Sequence, residues 1–136
     1  MDNKLLDILE RESPFFSSPI HGLRHWKTVE RNGLYLSKFT GADKFVLSYF
    51  AYLHDCMREN EHIDPGHGLR GAEFAQKHRQ VILLDDEQFE KLSLACEHHT
   101  DGEPTNCETI SSCWDADRLD IGRVGFTVDP KYLASE

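Results

Sequence analysis

Apolar residues in this chain recur at intervals of three and four, the period of an α-helix, and the punctuation between these stretches leaves few places for strands. Residues 3–12 carry Leu5, Leu6, Ile8 and Leu9 as a short amphipathic helix ending near Ser13-Pro14. A second helix is expected over about 20–39, and Gly41-Ala42-Asp43 separates it from a third over about 43–58. Asp64-Pro65-Gly66 marks a turn, followed by helices over about 67–79, 86–99 and 108–124. The loop 100–106 holds Asp101-Gly102 and Pro104, and the last dozen residues read as irregular. Val81 to Leu84 is the one short strand candidate, and four residues without a partner make no sheet. The expected class is all-α, a bundle of about five to seven helices.

The 136 residues suit one domain spanning 1–136, able to bury roughly two thirds of its unfolded surface. With 24 acidic and 15 basic residues the formal charge is −9, which argues against a general nucleic-acid binder. No apolar run is long enough to span a membrane, and no basic start followed by an apolar stretch marks a secretory signal. Cys56, Cys96, Cys107 and Cys113 form no CxxC pair, so a reduced, cytoplasmic setting is expected.

Eight histidines are many for this length, and their phase is informative. His25 shares one helical stripe with Val29, Asn32 and Leu36, and His54 extends the stripe of Val46 and Phe50. His99 continues Phe89, Leu92 and Cys96, while His67 opens a helix in phase with Gly71 and Phe74. A core imidazole satisfied by a backbone carbonyl explains any one of these. Four on inward faces favour a metal, which satisfies several buried imidazoles at once. Asp55 and the cluster Asp115, Asp117 and Asp120 are the carboxylates available to offset its charge. His62 and His78 read as surface residues, His21 as a substrate or supporting group one turn before His25, and the direction of His98 is open.

In order, the chain reads His25-Trp-Lys-Thr-Val, His54-Asp55, His67-Gly-Leu-Arg-Gly-Ala, His98-His99-Thr-Asp-Gly and Trp114-Asp115-Ala-Asp117-Arg-Leu-Asp120. An HD dipeptide alone is expected about 0.7 times by chance at this composition, so the weight lies in the ordered set. Over about residues 18–125 that set resembles the HD superfamily of metal-dependent phosphohydrolases, with its H…HD…D pattern. The resemblance implies a helical HD domain with His25, His54, Asp55 and Asp115 as ligands of a first metal. His67 with His98 or His99 matches the second-metal positions of dinuclear branches. Helical phase instead groups Asp117 with Ile110, Trp114 and Ile121, so Asp115 and Asp117 both stand as the last ligand, the motif favouring Asp115. The GYP tripeptide of signalling phosphodiesterases is missing and the 55-to-67 interval is short, which disfavours a cyclic-dinucleotide substrate.

The resemblance further implies an enzyme that hydrolyses a small phosphoester, a nucleotide among the candidates, through a metal-activated water. Asp55, Arg58 and His67 take the catalytic roles, with Arg58 and Arg70 on substrate phosphate. One or two ions of Mn, Fe, Zn, Ni, Co or Mg are the expected cofactors; no membrane partner is expected, and the oligomeric state is left open. The alternatives are a non-catalytic, metal-stabilised module that binds a nucleotide or protein, and a diiron oxygenase.

Overall fold

Six α-helices and one 3-10 turn make up the computed structural model, which describes residues 3–100 and 105–120, and no strand occurs among these residues. The helices are α1 (Asn3–Glu12), α2 (Leu23–Thr40), α3 (Lys44–Leu53), α4 (His67–Lys77), α5 (Asp86–Glu97) and α6 (Glu108–Arg118). None is long and apolar enough to cross a membrane.

The most apolar segment becomes the central helix. From Val46 to Leu53 every residue of α3 except Ser48 is buried, and α2, α4, α5 and α6 all pack against it. A helix apolar all round is stable only when enclosed. Trp26, Phe50, Leu5, Leu9, Leu92 and Ile82 belong to the same apolar core. Local chemistry sets the entries. Asp43 caps α3 by accepting from the backbone N–H groups of Phe45 and Val46, and Asp85 with Gln88 forms a reciprocal capping box on α5. Asn32 donates from Nδ2 to the Ala116 carbonyl, tying α2 to α6, and the Trp114 indole donates to the Ala95 carbonyl, tying α6 to α5.

Several boundaries differ from expectation. The second helix begins at Leu23 rather than 20, after Gly22 donates to the Ser18 carbonyl in a folded loop. The third helix ends at Leu53, not 58: residues 54–57 form a turn, so Arg58 is not one helical turn beyond Asp55. The fourth stops at Lys77, and Arg79–Val81 is the 3-10 turn, so the segment 81–84 pairs with no strand. The fifth helix ends at Glu97, two residues short of His99. The sixth is described to Arg118; the expected continuation over 121–124, the residues 101–104 and the last dozen residues lie outside the described residues.

Close backbone packing brings the ends of three helices together. A Cβ on Gly68 would lie 2.4 Å from the Cys96 carbonyl oxygen and 2.8 Å from that of Glu97. One on Gly71 would lie 2.5 Å from the Leu53 carbonyl oxygen. Only glycine lets the first turns of α4 rest on the C-terminal ends of α5 and α3, and those ends carry His99 and His54. Gly68→Ala is therefore expected to destabilise the fold by about 1–3 kcal/mol. Chemical denaturation measures this, and unchanged stability would refute the close-packing argument.

Candidate metal centre

Four imidazoles meet where these helix ends converge. His25 comes from the first turn of α2, His54 caps α3, His67 opens α4, and His99 follows α5. Each is at most 4% exposed. All four rings are held by Nδ1. His54 Nδ1 lies 3.0 Å from the Phe50 and Ala51 carbonyl oxygens, His67 Nδ1 2.7 Å from that of Asp64, and His99 Nδ1 2.8 Å from that of Cys96. His25 Nδ1 instead meets a carboxylate, Asp120 Oδ2, at 2.7 Å. Carbonyls and carboxylates accept only, so Nδ1 carries the proton in each ring and Nε2 turns inward.

The inward atoms face one another in pairs. His25 Nε2 and His54 Nε2 are 3.1 Å apart, and His67 Nε2 and His99 Nε2 are 2.8 Å apart. Neutral imidazoles so arranged oppose lone pair to lone pair, which only a shared proton or cation relieves. A carboxylate completes each pair. Asp117 Oδ1 lies 3.1 Å from His25 Nε2 and 3.2 Å from His54 Nε2. Asp55 Oδ1 lies 3.1 Å from His67 Nε2 and 3.5 Å from His99 Nε2. The other oxygen, Asp55 Oδ2, faces the first pair at 3.5 Å and 3.8 Å. Ligands bound about 2.1 Å from one ion stand roughly 3.0–3.4 Å from each other, so most of these spacings suit a cation. Asp117 Oδ1 is buried and accepts no hydrogen bond among the described residues, a further mark of a missing positive partner. Two groups of donors that could hold a metal thus stand side by side, His25–His54–Asp117 and Asp55–His67–His99.

Electrostatics at the centre follow from this crowding. Burial disfavours the imidazolium of His25, yet its contacts with Asp117 and Asp120, with the charges of Asp117 and Asp55, raise its pKa to about 9. Burial likewise disfavours the Asp55 carboxylate, but the His54 charge and contacts from His21, His67 and His99 hold it well below the usual range. Asp117 is held low against burial by His54 and His25. The thiols of Cys56, Cys96 and Cys113 are pushed up, chiefly by burial, and stay protonated.

Among the expected site residues, the structure gathers His25, His54, Asp55, His67 and His99. Asp115 is not with them. It is buried on α6, with Arg118 Nη1 3.8 Å from its Oδ1, while Asp117 faces His25 and His54. Two residues turn a helix by about 200°, so the two carboxylates take different directions, and the helical phase rather than the motif match identified the one that faces the imidazoles. His98 points away, with its ring beside Glu97 and half exposed. Arg58 lies against the site, its Nε 3.5 Å from Asp55 Oδ1, but its Nη1 donates to the Asn60 and His62 carbonyls. Arg70 is engaged by Asp64, Glu59 and the Met57 carbonyl, which secures the loop 59–66 rather than leaving the guanidinium for a ligand. His62 is exposed as expected, whereas His78 is half-buried with its ring 4.5 Å from that of Phe74.

Two further residues support the centre, and only His21 was expected in such a role from sequence. Asp120 stood only as one member of an acidic cluster, and the 95-residue separation hides its bond to His25. His21 spans from Asp55 Oδ2, 3.2 Å from its Nδ1, to the Glu61 carbonyl at 3.1 Å from Nε2, joining the loop before α2 to the loop before α4. Beside the centre a cleft of about 430 Å³ is lined by Pro19, Ile20, Arg24, His25, Thr28 and Asp120. No protein-family model, curated protein or solved structure matches this chain.

The shifts set a pH profile for the metal-free protein. His25 has a folded pKa of about 9 against 6.5, so its stabilising contribution is complete below 6.5 and is lost as pH rises through 9. Asp55 and Asp117, depressed below 3.8, act oppositely: their contribution is present above that value and lost as pH falls through the lower folded pKa values. Thermal melts in chelator should decline on the alkaline side between these His25 limits, and saturating Zn²⁺ should remove that decline. A flat chelated profile over this window would contradict the raised pKa of His25.

Proposed function

We propose that this chain is a metal-dependent phosphohydrolase of the HD type that cleaves a small phosphoester, a nucleotide among the candidate substrates. The observation that carries the reading is Asp55, one buried carboxylate with an oxygen toward each imidazole pair. His25, His54 and Asp117 would hold one divalent ion, and His67 and His99 a second, with Asp55 shared between them. When bound, such ions, drawn from Mn, Fe, Zn, Ni, Co or Mg, polarise a phosphoryl oxygen and acidify the attacking water.

The remaining steps belong to the side chains. Asp120 orients His25, and backbone carbonyls orient the other three imidazoles, so every Nε2 is aimed before a ligand arrives. Burial of the donor set excludes bulk water and strengthens the field felt by an anionic substrate. The cleft along α2 offers room for the part of the substrate that does not react. Pro19 and Ile20 form its apolar wall, and the guanidinium of Arg24 supplies a cation for an oxyanion. Arg58 fixes the loop 59–66 and lies against Asp55, a positioning role that also sets the charge near the reacting group. The cysteines, free and mostly buried, suit a reducing cytoplasmic setting.

The test is metal content of protein purified without chelators or a His tag, followed by phosphoester hydrolysis with each candidate ion. Turnover with at least one ion is expected, and Asp117→Ala should lose both metal and activity while Asp115→Ala keeps its metal. Full metal retention in Asp117→Ala would sink the donor assignment. Metal-dependent melting without turnover on any phosphoester would favour a non-catalytic module, and oxygen consumption by an iron form would favour an oxygenase. Arg24→Ala should raise KM about tenfold with metal content unchanged, the scale of one lost charge-assisted hydrogen bond. An unchanged KM would remove Arg24 from substrate binding.

A further inference from the structure

The two donor groups differ in what stands behind them. In the first, the three donor atoms are nearly equidistant, at 3.1, 3.1 and 3.2 Å. That group holds the Asp117 carboxylate for itself. Its His25 is also backed by a second carboxylate, Asp120, across a 2.7 Å bond. A carboxylate on the far nitrogen makes an imidazole a better electron donor than a carbonyl does, and fixes its tautomer.

The second group lacks both advantages. Its spacings are uneven, at 2.8, 3.1 and 3.5 Å. His67 and His99 rest on the Asp64 and Cys96 carbonyls. The carboxylate oxygen facing them, Asp55 Oδ1, belongs to a side chain shared with the first group. That same oxygen lies 3.5 Å from the Arg58 guanidinium, whose Nε is buried and donates no hydrogen bond among the described residues. A fixed buried cation beside the donor oxygen opposes a second cation there.

We propose that the two ion positions are unequal by construction: His25–His54–Asp117 holds a resident ion and His67–His99–Asp55 an exchangeable one, with Asp120 and Arg58 setting the difference. This inference rests on the two-ion reading above and adds the order of filling. Asp120 and Arg58 act as positioning residues through His25 and Asp55. Activity would then follow the free metal concentration over the range in which His67, His99 and Asp55 take up the weaker ion.

Titration of the chelator-stripped chain with Co²⁺, followed by calorimetry and by visible absorption, tests this. Two equivalents should bind, the first at least tenfold tighter. His67→Ala should abolish the weaker step and keep the tighter one. Asp120→Asn should weaken the tighter step by about 10–100-fold and leave the weaker step in place. Arg58→Gln should tighten the weaker step severalfold, a gain that misfolding cannot produce. If the parent binds two equivalents and neither Asp120→Asn nor Arg58→Gln shifts its step, the inequality is overturned while the two-ion reading stands. A parent that binds fewer than two equivalents overturns the two-ion reading itself.

Discussion

Asp55 brings a negative charge into the middle of an apolar bundle, and the surrounding architecture can be read as the means of keeping it there. Burying an isolated carboxylate is prohibitively unfavourable, so its two oxygens must be met from every side. His21, His25 and His54 approach one oxygen, while His67, His99 and Arg58 approach the other. The groups that supply this shell come from α2, α3, α4, the end of α5 and the loops between them. No single element could supply it.

That requirement explains where the helices stop. His54 is the cap of α3 and Asp55 lies in the turn beyond it, free of the helical ladder. His67 is the first residue of α4, and His99 lies just past α5. Helix ends leave carbonyl groups without helical partners, and His54 and His99 take up two of these through Nδ1, while His67 uses the Asp64 carbonyl in the loop before α4. The same bonds that satisfy helix termini therefore aim Nε2 at the centre. Gly68 and Gly71 allow the approach by removing the side chains that would hold α4 away.

Outside this shell the loops 13–22 and 59–66 are fastened to each other. Ser18 donates to the Glu61 carboxylate and His21 meets the Glu61 carbonyl, while Ser13 ties the first loop to the turn 54–57 through the Cys56 carbonyl. Arg58 and Arg70 hold the second loop from within through its carbonyls and carboxylates. These arginines were expected to hold substrate phosphate. Their planar forks are instead matched to protein acceptors, a competition that sequence spacing does not reveal because the acceptors are mostly backbone atoms.

Periodicity by itself determined the helical class and the inward faces of His25, His54, His67 and His99. Those properties depend on local geometry, a 3.6-residue repeat and hydrogen bonds spanning a few residues. It also grouped Asp117 with Ile110 and Trp114, although the motif match pointed to Asp115. Tertiary structure decided the rest: that Asp117 rather than Asp115 meets His25 and His54, that His99 enters while His98 leaves, and that Asp120 backs His25 from 95 residues away. Each of these depends on the angle at which one helix end docks on another. That angle is set by the summed packing of the whole core, which no local stretch of sequence encodes.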